Sequence, residues 1–184
     1  MKKQVLFEQS EIAKKLANYK LPRYDELTKF PVVMRQLVRI LDGYLSIFCI
    51  PGEEKLITQA MINSYVYKKV IIPPVNKEYD KNQIVHLMCI GIIKQVFSIS
   101  DVRKIFDMQM EQYPVDVAYN YFCAEVENAL KVTFSSRAFS DFKNEPTVIT
   151  PLTESIRSVV LAFANKIYVK QSMYFLEQQN KKKS

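Results

Sequence analysis

With 184 residues, 48% of them hydrophobic, the chain is long enough to bury a substantial core and has the length of roughly one to one and a half domains. Twenty-six Lys and Arg against 19 Asp and Glu leave a net charge of +7, which argues against an acidic disordered chain and mildly favours a polyanionic partner. Three glycines are too few for the Gly-rich phosphate loop of a Walker or Rossmann nucleotide site, or for a turn-rich all-β fold, since both need residues free to adopt positive φ.

The N-terminus begins Met1, Lys2, Lys3 but reaches Glu8, Ser10 and Glu11 before an apolar run long enough for a signal peptide can form. No stretch approaches the ~18 uninterrupted apolar residues of a spanning helix, so a soluble, cytoplasmic protein without membrane contact is expected. From Phe7 to Tyr19, Ile12 and Leu16 repeat among Lys and Glu and predict a short amphipathic helix, a peripheral arm that ends before Pro22. A second helix is predicted from Pro31 to about Phe48, with Met34, Leu37, Val38, Leu41, Leu45 and Phe48 on one side; Pro51 and Gly52 end it.

Thr58, a preferred N-cap residue, precedes Met61, Ile62, Tyr65 and Val66 and predicts a helix from Gln59 to about Lys69. Its other face presents Gln59, Ala60, Asn63, Ser64, Tyr67 and Lys68, without an acid. Val70 to Pro74 force an extended exit, because Pro denies its predecessor the helical region. Asp80, Lys81, Asn82, Gln83 then read as a capping box, which starts a helix with Ile84, Leu87, Met88, Gly91, Ile92 and Val96 inward. Ser98 opens a further helix containing Val102, Ile105 and Phe106, and Pro114 another with Val117, Tyr121, Phe122, Val126, Ala129 and Leu130 apolar.

A polar stretch from Ser135 to Thr150 separates these from a last helix, Leu152 to about Gln179. That helix carries two apolar rows: Ile156, Val160, Phe163, Ile167 and Tyr174, and beside them Leu161, Ala164, Tyr168 and Phe175. Two readings stand. Either it is the core helix of one domain, or it packs on its own domain through one row and pairs with a second copy through the seam Ile156, Val160, Phe163, Ile167 and Tyr174. Two rows are more than a small domain normally needs, so a homodimer is expected.

The run T-x-x-M-I-N-S-Y-V from Thr58, V-I-I-P-P from Val70, Y-D-K-N-Q-I-V-H-L from Tyr79 and F-S-I-S-D-V-R-K-I-F from Phe97 resembles the winged helix-turn-helix of the MerR regulators over roughly Lys55 to Phe106. In that family a Ser or Thr caps the recognition helix and a Leu/Ile-x-Pro exit leads to a wing ending in Tyr. Here Lys69 stands where a Gly usually closes the recognition helix, Asn63 takes the place of an Arg, and the wing from Val75 to Glu78 has no Gly. With the opening Leu21-Pro22-Arg23-Tyr24-Asp25-Glu26-Leu27 and the M-I-N-x-Y-V core, the chain also resembles a bacterial family known as domain of unknown function 1836.

These resemblances imply an all-α protein in which a MerR-like winged helix-turn-helix is embedded in a helical domain with a long C-terminal helix. They place residues 1–112 in a part made of the N-terminal helices and the helix-turn-helix, with 113–184 as a helical C-terminal region packed on it. The implied function is a transcription regulator on double-stranded DNA. Thr58 caps the DNA-binding helix, Gln59, Asn63, Tyr67 and Lys68 meet the major groove, and Lys69, Lys77 and Lys81 contact phosphates. From Lys55 to Asp107 eight bases face four acids, more than half of the chain's net charge, as phosphate attraction requires. A solvated helix surface would show the same lysines. The alternatives are a protein-binding adaptor, or a small-molecule sensor or enzyme with a pocket among Tyr119, Tyr121, Phe122 and the last helix, its effector unknown.

No catalytic constellation is apparent, and no metal or cofactor is expected. His86, the one imidazole, sits among Val85, Leu87 and Met88, where packing is favoured over general-base work. Glu125 and Glu127 are two apart on a helix and face different directions. Cys49, Cys89 and Cys123, far apart and without a C-x-x-C pair, read as small buried apolar groups.

Overall fold

A computed structural model describes residues 6–135 and 150–181. Among them the chain is mostly helical: α1 (Glu11–Ala17), α2 (Met34–Leu45), α3 (Gln59–Tyr67), α4 (Lys81–Ile93), α5 (Ile99–Met110), α6 (Val115–Ser135) and α7 (Pro151–Lys181). Two short strands, β1 (Val32–Val33) and β2 (Glu78–Tyr79), pair antiparallel with Val32 opposite Tyr79 and Val33 opposite Glu78. No described helix is long and apolar enough to cross a membrane.

The chain divides into two compact units, Leu21–Cys123 and, on either side of it, Met1–Lys20 with Ala124–Ser184. This differs from the division at 112/113 expected from sequence, because the N-terminal segment groups with the C-terminal helices. The polar stretch expected as the boundary lies, apart from its end residues, outside the described residues.

In the Leu21–Cys123 unit, α4 is the centre. Every residue from Gln83 to Ile93 is buried except His86, so this helix is covered nearly all round. Leu37, Leu41 and Leu45, spaced four apart on α2, are also buried, as are Leu56 and Ile57 from the segment before α3. Gly91 permits close approach here: a Cβ at that position would lie 2.8 Å from Leu45 Cδ1 and 3.1 Å from the Ile57 side chain. Replacing Gly91 by Leu is expected to lower unfolding stability by ~3 kcal/mol, at the upper end of overpacking effects, as read from chemical denaturation.

The helix expected from Pro31 starts later. Val32 and Val33 are β-branched and extended, pair with β2, and give way to α2 only at Met34, where Gln36 Oε1 accepts from the Val33 amide at 3.2 Å. The other starts follow their caps. Asp80 and Gln83 exchange backbone-to-side-chain hydrogen bonds of 2.8 Å each, and Ser98 Oγ accepts from the Asp101 amide at 3.3 Å.

In the other unit, the segment expected to be a peripheral arm is part of the core. Ala13 and Leu16 are fully buried, and the Phe7 ring lies 6.2 Å from Phe134, 5.2 Å from Tyr168 and 5.7 Å from Phe175. The Tyr168 hydroxyl donates to the Glu8 carboxylate. Glu125 and Glu127, both buried, point apart as their spacing requires. Glu125 accepts from Arg157 Nε (3.1 Å) and Nη2 (3.4 Å) on α7, whereas Glu127 takes Lys20 Nζ at 2.7 Å.

Helix α7 is 31 residues long, about 46 Å at 1.5 Å per residue. Of the seam expected to meet a second copy, Ile156, Val160, Phe163 and Ile167 are buried within the chain itself and Tyr174 is half-buried. The neighbouring row is not free either, since Ala164 and Tyr168 are buried. Burial within the single chain thus accounts for most of the seam and for half of the neighbouring row, in which Leu161 and Phe175 are half-buried. The apolar side chains that α7 leaves exposed are Val169, Met173 and Leu176, spaced four and three.

Candidate nucleic-acid interface

Thr58 is extended, with φ −121° and ψ 162°, and its hydroxyl accepts from the Met61 amide at 3.3 Å, so α3 starts at Gln59. Ile62 and Tyr65 anchor the inner side of α3 and are buried. Gln59, Ala60, Asn63, Tyr67 and Lys68 are all exposed, Tyr67 at 87%. Thus the polar face read from the sequence is a solvent face.

The end of α3 explains Lys69. Its φ is +57°, the left-handed position that Gly usually fills. The Val70 amide donates to the Tyr65 carbonyl at 2.8 Å and the Lys69 amide to the Val66 carbonyl at 3.0 Å, the paired bonds of a Schellman ending. Lys69 bears the strain of a side chain in that region, and its own side chain stays exposed.

Beyond this ending Ile71 turns inward and Ile72 is exposed, with the Ile72 carbonyl accepting from Gln83 Nε2 at 2.7 Å. The chain is thereby tied to the start of α4. It then reverses in two residues: Asn76 (φ +50°) and Lys77 (φ +65°) lie between Val75 and Glu78, which are bridged, with a 2.8 Å bond from the Glu78 amide to the Val75 carbonyl. Positive φ at both central positions defines a type I′ turn, whose twist suits a tight hairpin. Lys77 is exposed at its tip beside the exposed Glu78.

Lys81 has different surroundings. It is half-buried in the first turn of α4, with its ammonium 4.7 Å from the centre of the Tyr24 ring. The Tyr24 hydroxyl donates to Asn82 Oδ1 at 2.7 Å, and the Tyr24 amide donates to Asn120 Oδ1 at 2.9 Å. Burial, followed by the charges of Asp116, Asp80 and Asp25, pushes the Tyr24 phenol above its ordinary value and keeps it a donor. Tyr24, Lys29, Pro31, Asp80, Lys81 and Asn82 line an open cleft of about 290 Å³.

Ion pairing sorts the lysines further. Lys55 pairs with Asp42 at 2.8 Å, Lys104 with Asp101 at 3.6 Å and Arg103 with Asp107 at 3.9 Å. Lys68, Lys69 and Lys77 have no ion-pair partner among the described residues and remain available to an anion. Arg35 and Arg39, one turn apart on α2, are also exposed and have no ion-pair partner among the described residues; they were not legible as site residues because the pattern of that helix is set by its apolar side. Tyr24 was likewise missed as the support of Lys81, since the two are distant in sequence.

His86 lies 5.4 Å from the Phe106 ring, in keeping with a packing role. Burial lowers its imidazole below the usual 6.5, opposed by the charge of Asp80. The unfolded chain therefore binds a proton more readily than the folded one, so this residue's contribution to stability is present above about pH 6.5 and is lost as pH falls through the lowered folded value. The melting temperature is expected to drop more steeply between pH 7 and pH 5.5 in the wild type than in His86→Leu. The Cys89 thiol is pushed well up by burial and then by neighbouring Cys123; both are buried and Cys49 is half-buried.

The Leu21–Cys123 unit is thus a small helical domain with a miniature sheet, exposing one short polar helix and a lysine-tipped turn. The profile of a family described as a domain of unknown function (DUF1836) matches residues 22–122, over half of the chain and nearly the whole of this unit, and the chain belongs to that family. No curated protein and no solved structure matches the chain.

Proposed function

We propose that this protein is a DNA-binding transcription regulator whose residues from β1 to α5 form a MerR-like winged helix-turn-helix, with α3 as the recognition helix and the Val75–Glu78 turn as a minimal wing. The observation that carries this reading is α3 itself. Its inner side is anchored by Ile62 and Tyr65, while its outer side offers solvent an acid-free row of amide, aromatic and lysine groups. The left-handed Lys69 closes the helix as a glycine would, supporting the likeness at one of the positions where the sequence departs from the family pattern.

Phosphate contacts are assigned to Lys69 and Lys77 and also to Lys68, grouped from the sequence with the groove-facing residues; all three lack ion-pair partners among the described residues, and Lys81 contributes less because it already rests on Tyr24. Each phosphate neutralised adds about 0.9 to the slope of log affinity against log salt. Ala at Lys69 or Lys77 is accordingly expected to weaken binding to every duplex and to flatten the slope by about one unit, and Ala at Lys81 by less. Titration of a labelled random duplex at several salt concentrations measures this. A wild-type protein that retains no duplex at low salt would end the proposal.

A single recognition helix reads few base pairs, so the acting form is taken to be a homodimer. The row Val169, Met173 and Leu176, with the four-and-three spacing of a helix pair, replaces the buried seam as the surface for the second copy. A protein-binding adaptor is the second reading. It is favoured by the outer face of the small sheet, where Val33 and Val75 stand 43% and 73% exposed on either side of Glu78, an acid where a phosphate-binding wing has no use for one.

A further inference from the structure

We infer that the base pairs read by α3 are A·T pairs, recognised in the major groove by the side-chain amides of Gln59 and Asn63. This rests on the DNA-binding reading above and specifies its ligand. Gln59, Asn63 and Tyr67 lie four residues apart in one exposed row. Four residues of helix rise about 6 Å, or roughly two base-pair steps of 3.4 Å. The amides of Gln59 and Asn63 make no hydrogen bond within the described chain.

Four other amides of the same unit are committed to the fold. Gln36 holds the Val33 amide, Gln83 holds Asp80 and the Ile72 carbonyl, and Asn82 and Asn120 both hold Tyr24. A carboxamide offers one donor and one acceptor side by side, the complement of adenine N6 and N7 in the major groove. Guanine is matched by Arg or Lys and cytosine by Asp or Glu. Between Gln59 and Tyr67 the helix has none of these four residue types. Ala60, exposed beside Gln59, adds a methyl suited to thymine. Duplex RNA is disfavoured as the ligand because its deep, narrow major groove does not admit a helix.

The experiment is selection of bound duplexes from a random 20-base-pair library by the full chain, followed by affinities for the selected duplex. Enriched sites are expected to hold A·T pairs at two positions about two steps apart. Replacing the adenines there with 7-deazaadenine, which removes N7 and leaves the minor groove untouched, is expected to weaken binding about 10-fold. Asn63→Ala should level the preference at one position, and Asn63→Arg should shift it to G·C; Gln59→Ala should level the other. Enrichment of G·C at these positions by the wild type, or indifference to 7-deazaadenine, overturns the inference and leaves DNA binding standing. Retention of no duplex at low salt overturns both. All three substitutions are on exposed positions, and circular dichroism confirms that each variant is folded.

Discussion

Replacing Val160 and Ile167 together by Glu is expected to unfold the unit formed by α7 and its partners and to yield no folded monomer. The two side chains are 0% and 2% exposed. Each substitution removes a branched apolar group worth roughly 2 kcal/mol of burial and sets a carboxylate at a position closed to water, adding several kcal/mol more. A domain of this size has about 5–15 kcal/mol in total. Circular dichroism should therefore show loss of the cooperative melt. The contrasting pair is Met173→Glu with Leu176→Glu, on exposed positions of the same helix. It should keep the melt, and light scattering should find the mass falling from two chains to one if α7 pairs copies through that row.

The second large effect is expected at the ion pair between α6 and α7. Glu125 is 4% exposed, and Arg157 reaches it through both Nε and Nη2 while Nη1 holds Glu154 at 2.7 Å. Removing Glu125 strips the largely buried Arg157 guanidinium of its bonds through Nε and Nη2 while Glu154 remains, so Glu125→Ala is expected to cost about 3 kcal/mol in chemical denaturation, the lower end for a broken buried pair. Glu125→Leu combined with Arg157→Leu should cost far less, because the desolvation penalty of both charges disappears along with their attraction. A double-mutant cycle checks this. If the double variant is as unstable as the single one, the destabilisation comes from packing and not from the weakened charge pairing.

Features carried by neighbouring residues were legible in the sequence. Thr58, the Asp80 and Gln83 box and Ser98 satisfy amides three residues away, so the starts of α3, α4 and α5 could be read without knowing what they pack against. The polar face of α3 was legible for the same reason, since the period of a helix separates Ile62 and Tyr65 from Gln59, Asn63 and Tyr67. The M-I-N-x-Y-V core and the L-P-R-Y-D-E-L opening also identified the family.

The remaining features depended on which distant segments meet. Val32 and Val33 became a strand because Glu78 and Tyr79 lie opposite, a pairing that no local pattern contains. Lys69, Asn76 and Lys77 take positive φ because the Schellman ending and the two-residue turn are held between packed elements, although none is a glycine. Lys81 is held apart from the role of Lys77 by Tyr24, whose ring its ammonium faces. The rows on α7 were visible in the sequence, but an apolar row states only that something covers it. Phe7, at the far end of the chain, sets its ring against Tyr168 and Phe175 of the neighbouring row, and the residues expected as a dimer seam, all but Tyr174, are buried within the one chain, which no local pattern could state.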